Sequence, residues 1–121
     1  DRLIPYVISS CKRDKKFKCT DGKQFRDFLY VDDFTSLVIK ICNKKKINKG
    51  IYNVGFGKTV KIKFVIETIR KIIGKGKPLF GAIKMRKDET KILFPDISKT
   101  KKEFGWKPKI TFFKGIKNIL N

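Results

Sequence analysis

The sequence predicts a mixed α/β fold (α+β in character) with about five helices and three or four short strands. Three observations support this prediction. Apolar residues recur at helical spacing in several segments, short aromatic and β-branched segments lie between them, and glycine or proline marks most boundaries. The chain has 121 residues, is 40% hydrophobic and contains 11 Phe, so it can bury the core of one domain.

Two short extended segments follow the first predicted helix. The helix begins near Leu3, and Pro5 fits its first turn because an N–H there would have no helical partner. The charged residues 12–16 end this helix. Residues 17–20 alternate as in a strand, and after a turn the aromatic and branched residues 25–31 predict a second strand.

A change of apolar period marks the start of the second helix. Asp32 and Asp33 come directly before it, so an aspartate is expected to cap the helix and to interact favourably with its dipole. The alternative is acid–base catalysis by a carboxylate pair, which no second motif supports. The apolar positions of this helix are Phe34, Leu37, Val38, Ile41 and Cys42.

The third helix has the most regular apolar spacing in the chain. A short strand is predicted at residues 51–54, and the helix follows it. Thr59 is the candidate N-cap, and Gly74 is the candidate C-terminal stop. The apolar positions between them are Ile62, Val65, Ile66, Ile69, Ile72 and Ile73.

Two shorter helices complete the predicted fold. Residues 82–94 are expected to form short extended pieces around Arg86. Asp96 opens the fourth helix, and Gly105 lies just past its end. Thr111 is expected to cap the last helix.

The net charge of +20 first suggests a nucleic acid or an anionic membrane as partner. Lysine, however, occurs on predicted helices, turns and strands alike. This dispersion favours a lysine-rich surface facing solvent, and nucleic acid is therefore not the expected partner. No apolar run approaches the roughly 18 residues that span a bilayer, so no membrane segment is expected.

The cysteines do not indicate a metal site. Cys11, Cys19 and Cys42 have no CxxC spacing, and the chain contains no His. Cys11 and Cys42 fall at apolar helical positions, so they are expected to be small buried hydrophobes. A reducing cytoplasm is the expected location. The lack of His also excludes a His-based triad or general base within this chain.

Arg26 differs from the many lysines because it lies inside the aromatic stretch GKQFRDFLYVDDF of residues 22–34. A guanidinium in such surroundings must pair with an acid or meet an anion. Asp27 is a poor partner, since neighbours on a strand point to opposite faces. Two interpretations remain open: an ordinary ion pair, or two parallel hydrogen bonds to a phosphate.

Four segments occur in a distinctive order: RLIPYVI, DGKQFRDFLYVDDF, GIYNVGFGKTVKI and FPDISKTKKEFGWKPKITFFKGI. In this order they resemble the C-terminal part of the NAD-dependent epimerase/dehydratase family, the extended short-chain dehydrogenases that act on nucleotide sugars. The resemblance covers essentially the whole chain. It rests on G-x-Q-x-R-D-F-x-Y-V-D-D, Y-N-V-G and P-D-x-S-K…G-W-x-P in register.

The resemblance implies four substrate-binding residues. Arg26 would contact the pyrophosphate of a nucleotide sugar. Arg86 would also hold phosphate, although Arg86-Lys-Asp-Glu replaces the family's R-P-G-D and lacks its proline and glycine. Asn53 would lie near the substrate, the alternative being a turn residue at a strand end. Cys19 would lie beside the nucleobase, the alternative being a buried structural thiol.

The resemblance also points to motifs that this chain lacks. Family members carry an N-terminal Gly-rich NAD loop and a catalytic Tyr-x-x-x-Lys. The glycines here form no GxGxxG, and Tyr6, Tyr30 and Tyr52 are not followed by Lys four residues later. Residues 1–121 are therefore expected to be the C-terminal substrate-binding domain of a larger enzyme, with the N-terminal NAD-binding Rossmann domain absent from this chain.

The function that the resemblance implies is the nucleotide-sugar-binding part of an NAD-dependent epimerase or dehydratase. The fragment itself is expected to be inactive, with no catalytic, cofactor-binding or metal-binding residue. The full-length enzyme would use NAD or NADP, act on a nucleoside diphosphate sugar, and form a homodimer in the cytoplasm. The alternatives are a basic nucleic-acid-binding module and a non-catalytic scaffold.

Overall fold

The computed structural model describes residues 2–121. The elements along the chain are α1 (Leu3–Lys12), β1 (Lys16–Lys18), β2 (Phe25–Asp27), α2 (Val31–Asn43), β3 (Thr59–Lys61), α3 (Ile62–Ile73), β4 (Lys77–Leu79), β5 (Ile92–Leu93), α4 (Ser98–Phe104) and α5 (Phe112–Leu120). This mixed architecture confirms the predicted fold class. Within the described range, no helix is long and apolar enough to cross a bilayer.

The strands form two small sheets. β1 pairs with β4 in parallel. In the other sheet β2 is central, with β3 antiparallel on one side and β5 parallel on the other. Arg26 is therefore opposite Val60 on β3 and Leu93 on β5. This pairing brings the segment before β5 alongside the arginine.

The larger core lies between α1, α3 and α5. Val7 and Cys11 of α1 are fully buried against α3, and Ile116 contributes from α5. Most of the predicted apolar positions of α3 face this core, since Val65, Ile66 and Ile69 are each 0% exposed. Ile72, which was predicted on the same face, is 36% exposed. Burial of such side chains is the main source of folding free energy.

A smaller core joins α2 to α4. Leu37 of α2 packs there with Ile97, Phe104 and Trp106. The Trp106 indole Nε1 donates a hydrogen bond to the backbone oxygen of Asp33 at 3.1 Å. This bond satisfies a buried polar group and fixes the start of α2 against the link that leads to α5.

The prediction that an aspartate caps α2 is wrong. The N-cap is Tyr30, which makes no side-chain cap, and Asp32 and Asp33 lie in the first helical turn. Asp33 is only 4% exposed, and its carboxylate accepts hydrogen bonds from the amides of Lys109 and Ile110 at 2.8–3.0 Å. The Asp33 carboxylate therefore holds the distant link before α5 and does not cap its own helix. Because these bonds occupy the carboxylate, nothing supports a catalytic pair.

Three further local predictions are wrong. Residues 51–54 form no strand, and side chains of α4 bond to their backbone instead: Lys99 donates to the oxygen of Ile51 at 3.0 Å and Thr100 to that of Asn53 at 2.5 Å. Thr59 belongs to β3, and α3 has Lys61 as its N-cap. Cys42 is exposed, because the buried face of α2 is narrower than its apolar spacing suggested.

The predicted ends of three helices are confirmed. Gly74 follows α3 with φ 76° and Gly105 follows α4 with φ 55°, both in the left-handed region that glycine adopts readily. The Thr111 hydroxyl accepts a hydrogen bond from the amide of Lys114 at 3.4 Å and so caps α5.

Candidate functional site

Arg26 lies on the central strand β2 and forms an ion pair with Glu89. One terminal guanidinium nitrogen contacts Glu89 Oε1, and the other donates to the backbone oxygen of Phe25 at 2.8 Å. The two charged side chains are 23% and 27% exposed. The Phe25 amide donates a hydrogen bond to the backbone oxygen of Lys91 at 2.8 Å. Lys91 is two residues after Glu89, so this bond brings Glu89 beside Arg26.

Asp27 does not pair with Arg26, as the alternation of side chains on a strand predicted. Its carboxylate accepts hydrogen bonds from the amides of Phe56 and Gly57 at 2.8 and 2.6 Å. Gly57 has φ 80°, and a Cβ on Gly55 would lie 2.4 Å from Pro95. These glycines therefore permit a tight turn around a carboxylate.

A cavity of about 580 Å³, here called the Arg26 cavity, opens beside this ion pair. Arg26, Lys18 and Glu89 provide its charged groups, and Gln24 and Thr20 add polar atoms. Apolar side chains of α1 and α3 form most of the remaining wall. Its volume falls in the range of small-molecule sites, about 300–1,000 Å³, and the combination of apolar walls with a few polar groups is typical of them.

Cys19 lies in the wall of the Arg26 cavity and is 6% exposed. Burial raises the pKa of its thiol, while a backbone hydrogen bond involving Leu79 acts in the opposite direction. The thiol is therefore neutral at physiological pH and behaves as a small apolar group. The burial expected of a structural thiol is therefore observed, and the role of Cys19 beside a nucleobase stays a prediction.

Asn53 lies in a second cavity that shares Arg26 with the first. This cavity has a volume of about 500 Å³ and is also lined by Asp27 and Pro95. The Asn53 side chain donates to the oxygen of Asp96 at 3.3 Å. Arg26 thus connects the region of Cys19 with the region of Asn53.

Arg86 is exposed and lines neither of the two cavities that contain Arg26. Its backbone oxygen accepts from the amide of Glu89 at 3.2 Å, within a turn. The structure therefore brings Arg26 together with Cys19 and Asn53, but it does not place Arg86 among them.

Glu89 is the site residue that sequence reasoning missed. It stands in the same Arg86-Lys-Asp-Glu stretch, but only Arg86 was given a role there. The two ends of the ion pair are 63 residues apart, so no local pattern connects them. Only the parallel pairing of β2 with β5 could have revealed it.

Comparison with known proteins gives consistent results. Residues 1–119 match the family described as GDP-mannose 4,6 dehydratase. The chain is 36% identical over 123 residues to CDP-abequose synthase of Salmonella muenchen, and the match covers 99% of this chain and 41% of that protein. The chain thus spans about two fifths of the length of this relative.

Two solved structures have the same fold. The Bordetella bronchiseptica enzyme WbmG in complex with NAD and UDP superposes with a TM-score of 0.83 and 28% identity, over 99% of this chain and 38% of that one. The dTDP-glucose 4,6-dehydratase of Bacillus anthracis in complex with NAD gives a TM-score of 0.80 and 28% identity, over 97% of this chain and 37% of that one.

The match of nearly the whole chain to one family, together with these relatives, confirms the resemblance found in the motifs. The chain belongs to the family described as GDP-mannose 4,6 dehydratase, within the NAD-dependent epimerases and dehydratases of nucleotide sugars.

Proposed function

We propose that this chain is the nucleotide-sugar-binding part of an NAD-dependent epimerase or dehydratase, and that Arg26 holds the diphosphate of the substrate. The observation that carries the proposal is the position of Arg26: a partly buried guanidinium in the wall of a ligand-sized cavity. The UDP in the WbmG structure and the CDP-sugar named for the Salmonella relative indicate the ligand class.

The geometry suits an anion that carries an apolar or aromatic group. A guanidinium has five N–H donors, and two of its nitrogens already have partners in Phe25 and Glu89. A diphosphate would take the remaining donors or replace Glu89. The apolar wall near Cys19 would then receive the nucleoside, and the region of Asn53 would lie towards the other side of Arg26.

The chemical step would come from residues outside this chain. The sequence contains neither a Tyr-x-x-x-Lys nor a Gly-rich NAD loop. NAD, when bound by the whole enzyme, would supply reversible hydride transfer at a sugar carbon. The part played by this chain is to bind and orient the substrate by its diphosphate, so that binding energy remote from the sugar contributes to catalysis.

A face of α2 provides a surface for the rest of such an enzyme. Val31, Phe34 and Val38, here called the α2 stripe, share one side of the helix and are 62%, 48% and 38% exposed. We infer that the NAD-binding Rossmann domain packs on this stripe. The larger size of the relatives supports this inference, since the chain covers 41% of the Salmonella protein.

Calorimetric titration of the chain with UDP and with CDP tests the proposal. We expect saturable binding of at least one of them, weakened about 10- to 100-fold in Arg26→Gln, because a hydrogen bond to a charged group contributes about 1.5–3 kcal/mol. Lys101→Gln, which removes one exposed charge on α4, is the matched control. Equal affinities for the two variants, or no binding of either nucleotide, would overturn the proposal.

A further inference from the structure

A third cavity, here called the basic cavity, lies between α1 and the start of β1. It has a volume of about 500 Å³ and contains neither Arg26 nor Glu89. Tyr6 contributes to the walls of both this cavity and the Arg26 cavity. The Tyr6 hydroxyl donates to the backbone oxygen of Lys18 at 3.3 Å, so this side chain is held between the two.

Four cationic side chains and no acidic one line the basic cavity. They are Arg2, Arg13, Lys15 and Lys16, and none of them forms a salt bridge within residues 2–121. Two of them belong to the chain's five arginines, which are few among its 31 basic residues. A surface covered by dispersed lysines does not account for two arginines at one cavity.

The backbone between α1 and β1 produces this arrangement. Asp14 has φ 51°, a left-handed conformation that is uncommon for a residue other than glycine. Its carboxylate accepts a hydrogen bond from the amide of Gly76 at 2.9 Å. The one acid in this segment is therefore engaged elsewhere, while its neighbours Arg13 and Lys15 line the cavity.

A buried hydroxyl provides a second, independent observation. Ser10 lines the basic cavity and is only 9% exposed. A hydroxyl in this position can donate to an anion that the cations attract.

We propose that the basic cavity binds a small molecule carrying a diphosphate or two neighbouring phosphate groups. Several cations around one concave site favour an anion with more than one charge, and arginine forms paired hydrogen bonds to phosphate oxygens. The volume exceeds what a single phosphate requires and lies within the usual range for small-molecule sites. The site is distinct from the one at Arg26 and does not depend on the function proposed above.

Titration with inorganic pyrophosphate, followed by amide NMR shifts at an ionic strength of about 0.15 M, tests this site. We expect saturable shifts centred on residues 9–16 and an affinity at least about tenfold weaker in the double variant Arg13→Gln/Lys16→Gln. The control is Lys101→Gln/Lys102→Gln on α4, which removes the same charge from exposed positions. Ser10→Ala, which keeps every charge, should also weaken binding.

Non-specific attraction to a polycation predicts a different result. The two double variants would then lose affinity equally, or the shifts would not saturate, and either outcome overturns the proposal. Shifts confined to the surroundings of Arg26 would overturn it as well. A titration of the Arg26→Gln protein with ADP distinguishes the two sources of the diphosphate. Tighter binding of ADP than of pyrophosphate indicates a nucleotide, and weaker binding of ADP indicates an inorganic anion.

Discussion

Arg26 and Glu89 form an ion pair in the wall of the Arg26 cavity. Both groups are about three quarters buried, with exposures of 23% and 27%, so their interaction is screened less than that of a surface pair. Glu89 gives the guanidinium a partner when no ligand is present. The same carboxylate would oppose an incoming anion, because like charges in a partly buried site repel.

Replacement of Glu89 by Gln should therefore strengthen nucleotide binding. We expect UDP or CDP to bind about three- to tenfold more tightly to Glu89→Gln, since removing one repulsive charge near a partly buried site is worth up to about 1.4 kcal/mol. Calorimetric titration measures this change. Glu67→Gln is the control, because Glu67 is exposed on α3 and does not line the Arg26 cavity. Weaker binding to Glu89→Gln would show instead that the carboxylate orients Arg26 for the ligand.

Asp33 should be far more important for stability than its neighbour Asp32. Replacement of Asp33 by Ala leaves the amides of Lys109 and Ile110 without their acceptor, and we expect a loss of about 2–4 kcal/mol in the free energy of unfolding. Asp32 is exposed, so Asp32→Ala should cost less than about 1 kcal/mol through the helix dipole. Urea unfolding of both variants measures the difference, and similar midpoints would contradict the role given to Asp33.

Glu103 should make stability depend on pH in the acid range. Hydrogen bonds from Asn48 lower the pKa of the Glu103 carboxyl, and the bond from its backbone amide has the largest effect. The positive charge of Lys44 lowers the pKa further. A group whose pKa is lower in the folded protein stabilises it above its unfolded pKa of about 4.3, and this contribution disappears as the pH falls through the folded pKa.

Unfolding free energies of the wild type and Glu103→Gln, measured across that acid range, test this prediction. The wild type should be the more stable protein near neutral pH, and the difference should shrink on acidification. Asn48→Ala removes a side-chain donor to Glu103, so it should reduce the pH dependence. A difference that stays constant with pH would exclude this role for Glu103.

The α2 stripe should cause this chain to self-associate when it is purified alone. Exposed apolar side chains on one helix face are prone to bury one another. We expect light scattering to detect dimers or larger species, and Phe34→Lys to shift the population towards monomer. Ile119→Lys is the control, because Ile119 is 50% exposed on α5 and Phe34 is 48% exposed on α2. A wild-type monomer, or equal effects of both substitutions, would contradict the prediction.

The sequence predicted helices better than strands, for a physical reason. The regular spacing in α3 and the glycines after α3 and α4 are local signals, and each of these predictions is confirmed. Residues 51–54 have the composition of a strand, but a strand needs a partner, and within residues 2–121 none pairs with them. Asp33 has the sequence position of a helix N-cap, but its carboxylate accepts hydrogen bonds from amides 76 and 77 residues further along the chain.

The candidate site was predictable only in part. Arg26 could be distinguished because it interrupts an aromatic strand, and alternation on that strand correctly separated it from Asp27. Glu89 could not be found, because its position depends on the pairing of β2 with β5. Arg86 lines neither of the two cavities that Arg26 lines. Its role as a second phosphate contact therefore stays a prediction.

Adjacent residues at the end of the short strand β2 and directly after it have unrelated roles. Arg26 reaches the cavity, Asp27 fixes the turn at Phe56 and Gly57, and Phe28 packs on Phe112 with ring centroids 5.4 Å apart. Insertion or deletion of one residue here would move each side chain to its neighbour's position. A shift in one direction would bring a carboxylate to the Arg26 cavity, and a shift in the other would bring a guanidinium to the turn. Natural variation in this segment should consequently occur by substitution, and length changes should be confined to the loops on either side.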